Sequence, residues 1–317
     1  MKVNNIKNNT LTVTTKKRKR KSELAMYLFM LPGLIYILVN NYIPMGGLFI
    51  AFKNVDYSKG IFHSDWAGLE NFKYLFSSSD AWIITRNTIL YNLAFIIFGT
   101  ILGIAVGIML SEMSSKLMAK FYQTSILLPQ LISIIIIAYI GYAFLSADTG
   151  LLNKSILPKF GIDPISWYSD PKYWPIILIV VNLWKGLGFS CIIYLASILG
   201  IDRSIYESAE IDGAGKWRQI VSITLPLLKP TIITLTMLAI GRIFYADFGL
   251  FYQVPMNSGA LYNATNVIDT YVYRGLLQTN DIGMSSAAGF YQSVVGFVLV
   301  LLANFAVTKL DKENALF

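Results

Sequence analysis

The chain has 317 residues, 55% of them hydrophobic and only 14% charged, with a mean hydropathy of +0.55 and a formal net charge of +8. Soluble domains carry about 25% charged residues, so a chain of this length has more apolar surface than a water-soluble fold can bury, and lipid must form part of its solvent. One cysteine, Cys191, excludes a disulfide framework and a cysteine metal site, and the one histidine, His63, lies in a polar loop, which argues against a histidine metal cluster or a Ser-His-Asp arrangement in the membrane.

Residues 1–22 are polar and rich in Asn, Lys and Thr, with a basic run from Lys16 to Lys21. They predict a mobile cytoplasmic tail whose charges anchor topology against anionic lipid. No folded basic surface accompanies the run, which argues against nucleic acid. Four stretches then lack Asp, Glu, Lys and Arg: 29 residues between Glu23 and Lys53, 25 between Arg86 and Glu112, 27 between Lys120 and Asp148, and 27 between Asp281 and Lys309. A helix rising about 1.5 Å per residue crosses the hydrocarbon core in about 20 residues, and backbone satisfaction in lipid favours helix. The first stretch is too long for a signal peptide, and no small-residue cleavage site follows it. Two further apolar stretches carry charge: about Tyr173 to Leu199 with Lys185, and about Pro230 to Tyr252 with Arg242 and Asp247. The expectation is an all-α polytopic membrane protein of six helices, with residues 23–317 as one transmembrane domain. Strand alternation is absent, which argues against a β-barrel.

Lys and Arg counts set the orientation. With the N-terminus inside, sixteen fall in inside segments: eight in the tail, then Lys116 and Lys120, Arg203, Lys216, Arg218 and Lys229, and Lys309 and Lys312. Eight fall outside: Lys53, Lys59, Lys73, Arg86, Lys154, Lys159, Lys172 and Arg274. Both termini are therefore expected in the cytoplasm. The outside loops, about 53–83, 147–172 and 253–285, are long and carry Trp66, Trp82, Trp167, Tyr168 and Tyr262. They suit either an interfacial aromatic belt or a docking surface for an external partner.

The one long inside loop, about 200–229, is the most informative segment. Asp202 can cap a helix beginning near Arg203, and Gly213 is a natural terminator. Ile205 and Ala209 lie near one face, with Ile211 a further apolar residue in the last turn, while Trp217, Ile220, Val221 and Leu225 form a second amphipathic pattern. Pro226 and Pro230 mark the start of the fifth span. The prediction is two short helices at a sharp bend. A lipid-surface helix is one reading, but Glu207, Glu210 and Asp212 sit poorly against an anionic leaflet and better against a protein.

The spacing here resembles the EAA loop of bacterial ABC importer permeases: Glu-Ala-Ala, three residues, Gly, nine residues, Ile, one residue, Leu-Pro. This chain has Glu207, Ser208, Ala209, Gly213, Ile223, Leu225 and Pro226 with every spacing kept and Ser208 as the one departure. Trp66 to Phe76 and Asn87-Thr88 are similar to the carbohydrate-uptake branch. Val267 to Leu277 and Ala287 to Asn304 are similar to its permeases for complex oligosaccharides. The resemblance implies a transmembrane subunit that imports a sugar or oligosaccharide across a bacterial plasma membrane. It implies a second permease subunit, two cytoplasmic ATPase subunits that bind ATP and Mg, and an extracellular substrate-binding lipoprotein. It also implies that the loop is a coupling helix seated in an ATPase groove. Glu207 and Asp212 would make polar contacts there, with Gly213 at the bend and Ala209 allowing close approach.

The chain is not expected to be an enzyme or to hold a cofactor or metal. Gly213-Ala-Gly215-Lys216 fails as a phosphate-binding loop, because residue 210 is Glu and residue 217 is Trp. Glu112, Asp148 and Asp170 form no catalytic cluster. Lys185 and Arg242 each fall about twelve residues into a span, where charge usually faces a bundle interior or a watery cavity. Asn182, Trp184, Lys185, Tyr194, Arg242, Tyr245, Asp247 and Tyr252 are the candidate substrate path, its aromatics stacking on sugar rings and its polar groups bonding hydroxyls or carboxylates. A Lys185–Asp247 or Arg242–Asp247 pair holding helices together is the competing reading. Two cations against one anion leave an acidic oligosaccharide open. The rival function is an ion-coupled secondary transporter, which also uses midplane charges but has no need of the loop spacing.

Overall fold

The computed structural model describes residues 19–310, so the basic tail up to residue 18 lies outside the described residues. Helix α1 runs over Met26–Phe52, and its part up to Phe49 belongs to a compact unit of its own. Its apolar side chains from Met26 to Met45 are exposed, Phe29 to 87%, as a lipid-facing helix requires.

The remainder, from Ile50 onward, is a second unit. A two-residue antiparallel ladder, Lys53–Asn54 against Asp65–Trp66, leads to α2 (Glu70–Ser77) and then to α3, 33 residues from Ser79 to Ser111. The third expected span is not straight. It splits into α4 (Lys116–Leu131) and α5 (Ile134–Leu145), bent by 94°. Pro129 lacks the N–H that would continue the helix, and Ser133, in extended conformation, accepts from Ile135 N to start the next one. Helix α6 (Trp174–Leu199) packs along α3 and crosses α4 at Gly188. A Cβ there would lie 2.5 Å from the Ile126 carbonyl oxygen, so only glycine permits the approach.

Helix α7 (Arg203–Ile211) is the first half of the long loop at about 200–229. The second half is continuous with the fifth span: α8 runs over Lys216–Ile240 without a stop at either proline. A widened turn at Ile220–Thr224 precedes Pro226 and absorbs its missing donor. The fifth span therefore begins at Lys216, not near Pro230, and ends at Ile240, not near Tyr252. Residues 241–247 are non-helical. Short α9 (Phe248–Gln253), α10 (Ile268–Leu277) and the last span α11 (Ile282–Leu310) follow. Among the described residues there are five helices long and apolar enough to span, or six counting the bent pair as one.

The main core joins Tyr91, Trp174, Leu178, Phe251, Val254 and Leu261 at the end of the spans away from the loop. Buried Asn153 ties this end together, donating to Ser146, Ala147 and Ile165 carbonyls and accepting from Ile165 N and Trp167 Nε1. Trp167, Tyr168 and Tyr262 are thus engaged in internal packing. Tyr168 meets Trp174, and Tyr262 lies under the Arg274 guanidinium at 4.1 Å. Trp66 and Trp82, about 70% exposed, remain available for the belt or the docking surface.

Candidate functional site

Two places in the second unit interrupt helix and carry exposed chemistry. The first is the bend at Gly213. Asp202 Oδ1 accepts from Ser204 N at 3.0 Å and caps α7, an interaction that holds its carboxyl below the usual range. Gly213 stops α7 with φ +76°, a conformation other residues adopt only under strain, and Ala214 N returns to the Ala209 carbonyl at 2.8 Å. Glu207 pairs loosely with Arg203 at 3.7 Å, and Ser208 back-bonds to the Ser204 carbonyl. Lys216 bridges Glu210 at 3.2 Å and Glu112 at 3.3 Å, tying the bend to the end of α3. That hydrogen bond, with one from Gln219, holds the Glu210 carboxyl below its usual range. The Tyr206 and Thr224 hydroxyls meet at 2.9 Å, joining α7 to α8. Ile211 and Trp217, 87% and 77% exposed, stand outward beside Asp212. Ile223 and Leu225 are half-buried on α8, with Pro226 exposed. The result is an apolar and acidic knob on a firmly built base.

The second is the break in the fifth helix. Non-helical backbone at membrane depth persists only where it is buried in protein or lines a cavity. Both conditions are met. Asn92 Nδ2 donates to the Ile243 and Tyr245 carbonyls at 3.0 and 3.2 Å. Gln292 Nε2 donates to the Phe244 carbonyl at 2.8 Å and to Asp269 Oδ2 at 3.1 Å. Asp269 Oδ2 accepts from Ala246 N at 2.8 Å, and Asp247 Oδ1 accepts from Leu250 N to start α9. The break forms one wall of a cleft of about 610 Å³ whose polar lining includes Asn92, Thr100, Asn182, Tyr194, Arg242, Tyr245 and Asp247. Phe95, Phe189 and Leu235 supply apolar wall.

The cleft brings together five of the eight residues expected on the substrate path: Asn182, Tyr194, Arg242, Tyr245 and Asp247. It does not include Trp184, Lys185 or Tyr252. Lys185 Nζ donates to the Gln130 and Ile132 carbonyls at 3.3 and 3.2 Å, satisfying oxygens freed by the α4–α5 bend. Tyr252 packs against Phe248 and Tyr273, and Trp184 is exposed elsewhere on α6. Arg242 and Asp247 lie in the break and not inside a helix. Among the described residues neither Lys185 nor Arg242 forms an ion pair with Asp247. The supports Asn92, Asp269 and Gln292 escaped the sequence reading, although two lie in the segments similar to the oligosaccharide branch. Gly241 and the capping residue Asp247, both inside an apolar run, were the local signal for the break.

Residues 99–312 match the family described as binding-protein-dependent transport system inner membrane component. The chain is 36% identical over 315 residues to the polygalacturonan/rhamnogalacturonan transport system permease protein YteP of Bacillus subtilis, covering 95% of each. Its fold is similar to a chain in the crystal structure of a bacterial ABC transporter that imports the acidic polysaccharide alginate. The TM-score is 0.83 at 35% identity, covering 92% of this chain and 97% of that one. A second structure, of that kind of transporter with an alginate pentasaccharide-bound periplasmic protein, matches with the same TM-score at 34% identity, covering 92% and 96%.

Proposed function

The chain belongs to the binding-protein-dependent transport inner membrane components, and from that premise we propose that it forms one wall of the sugar path in an ATP-driven importer of uronate-bearing oligosaccharides. The observation that carries the substrate class is Arg242: a guanidinium without an acid partner among the described residues, on the wall of a cleft of about 610 Å³, between an aromatic ring and polar side chains. A planar guanidinium suits a carboxylate better than a hydroxyl. Similarity to proteins named for polygalacturonan and alginate supports the same chemistry. Tyr245 and Tyr194 offer ring faces to sugar, and Asn182, Asn92 and Asp247 offer partners for hydroxyls.

The coupling loop supplies the drive. The exposed knob at Ile211, Trp217, Glu207 and Asp212 suits a groove on a cytoplasmic ATPase, and two ATPase copies binding ATP and Mg would move it. From Lys216 to Ile240 the chain is one helical rod, roughly 37 Å long at 1.5 Å per residue. A displacement of the loop is therefore delivered to the break at residue 241, where Arg242 stands. The permease is the bistable element and ATP binding biases it. A second permease faces this one across the path, and an external binding protein delivers the sugar. The Lys and Arg distribution supports cytoplasmic termini. An ion-coupled secondary transporter leaves the loop without a use, and family membership weighs against it.

The test is uptake by the assembled importer in proteoliposomes, comparing trigalacturonate with a neutral trisaccharide. Arg242→Gln should lower trigalacturonate uptake at least tenfold and leave any neutral-sugar uptake unchanged. Equal trigalacturonate uptake by variant and wild type contradicts the substrate class. Uptake that follows an ion gradient without ATP contradicts the transport class.

A further inference from the structure

A second cleft, of about 540 Å³, opens at the other end of the spans, between the starts of α3 and α6 and the segment at Asn263–Ala264. We propose that it seats an anionic phospholipid, with the phosphate held by Arg86 and Lys172 and an acyl chain laid over Leu90, Pro175 and Ile179.

Depth comes first. Glu112, at the far end of α3, contacts Lys216 of the cytoplasmic loop. Arg86 lies 26 residues earlier in the sequence, roughly 39 Å along a helix axis. The hydrocarbon core is about 30 Å thick and the bilayer with headgroups about 40–45 Å, so Arg86 stands at headgroup level on the opposite side. Leu90 is about one turn deeper on α3, and Ile179 about two turns deeper than Lys172 along the start of α6. Cations at the rim with hydrocarbon beneath them match the polarity of a phospholipid.

Charge comes second. Among the described residues Arg86 is bonded to neutral groups: Asn87 Oδ1 at 3.2 and 3.0 Å, the Asn263 carbonyl at 2.9 Å and Asn263 Oδ1 at 3.4 Å. These fix the guanidinium through Nε and Nη2 and leave Nη1 uncommitted. Lys172 lies over the Tyr173 ring at 5.6 Å. Among the described residues neither cation has an ion pair. Asp170 is the only acid in the lining, and its Oδ1 already accepts from Lys172 N at 3.0 Å. The cleft thus holds two cations against one carboxylate. A lysine or arginine near a charged membrane surface contributes about 1 kcal/mol toward anionic lipid.

The facing of the cleft decides between lipid and sugar. Arg86, Asn87, Leu90 and Tyr91 share one stripe of α3, while Asn92, Phe95, Ile96 and Gly99, which line the sugar path, fall on the roughly opposite side of the same helix. The second cleft therefore lies off the sugar path, and its apolar floor offers little to sugar hydroxyls.

The experiment is native mass spectrometry of the assembled importer released from nanodiscs of equal phosphatidylglycerol and phosphatidylcholine. Wild type should retain phosphatidylglycerol over phosphatidylcholine. Lys172→Gln, which gives up a ring contact with the adjacent Tyr173 and no hydrogen bond of its side chain among the described residues, should retain roughly fivefold less, and Arg86→Gln with Lys172→Gln more than tenfold less; Lys172→Arg should match wild type. Equal retention in wild type and Lys172→Gln overturns the proposal. So does displacement of phosphatidylglycerol by trigalacturonate, which would make the cleft a sugar subsite.

Discussion

The bend at Gly213 and the break at residues 241–247 lie at opposite ends of α8, and they are built in opposite ways. The bend is local. Its cap, terminator and cross-links all come from residues 202–224, apart from the Lys216–Glu112 bridge. The break is held from a distance: Asn92 is about 150 residues away, and Gln292 and Asp269 come from later helices. A segment that must fit a partner protein can be self-contained. A segment that opens a helix inside a membrane needs donors from its neighbours, because no water is there to supply them.

This contrast separates two kinds of substitution. Gln292→Leu leaves the Phe244 carbonyl and the Asp269 carboxylate each short of a donor, and each such loss costs about 1–3 kcal/mol. Membrane levels and thermal stability should both fall, with uptake following them; an unchanged melting temperature would mean that the break holds without its supports. Tyr206→Phe removes one hydroxyl contact in the bend, worth about 0.5–1.5 kcal/mol. It should lower uptake while leaving protein levels intact, measured by transport per copy in membranes. Glu210→Gln should have the smallest effect. The wild-type carboxyl is held below its usual range, so its contribution is complete above the ordinary carboxylate pKa of about 4.3 and fades only as pH falls through the lower folded value. Wild type and variant should therefore differ by a constant small amount from pH 5 to 8 and converge in acid; a difference that grows from pH 7 to 5 would assign the effect to another group.

The same contrast explains what the sequence disclosed. Gly213, Asp202 and the spacing from Glu207 to Pro226 are local signals, and the bend lies where they place it. The apolar stretches located the spans other than the fifth because lipid imposes one length and one secondary structure; the fifth, read about ten residues too late, keeps its apolar character past the break at Gly241. The 94° bend was harder: Pro129 and Ser133 sit in a charge-free run that reads as a single span. Lys185, read as a path residue by depth alone, serves carbonyls at that bend, a role only the packing of α6 on α4 reveals. Arg242 and Asp247 were read as charges inside a helix because the donors that permit a break, Asn92 and Gln292, are remote in sequence.

The proposed transport mechanism requires the loop around Gly213 to drive the path through α8. Gly213→Pro tests it most directly. Proline fixes φ near −65°, whereas Gly213 sits at +76° and donates its N–H to the Glu210 carbonyl at 3.0 Å. The spans and the cleft do not depend on that bond. The variant should reach the membrane at wild-type level while sugar uptake and the ATPase activity that drives it are both lost. Wild-type uptake by Gly213→Pro at equal membrane level would contradict it.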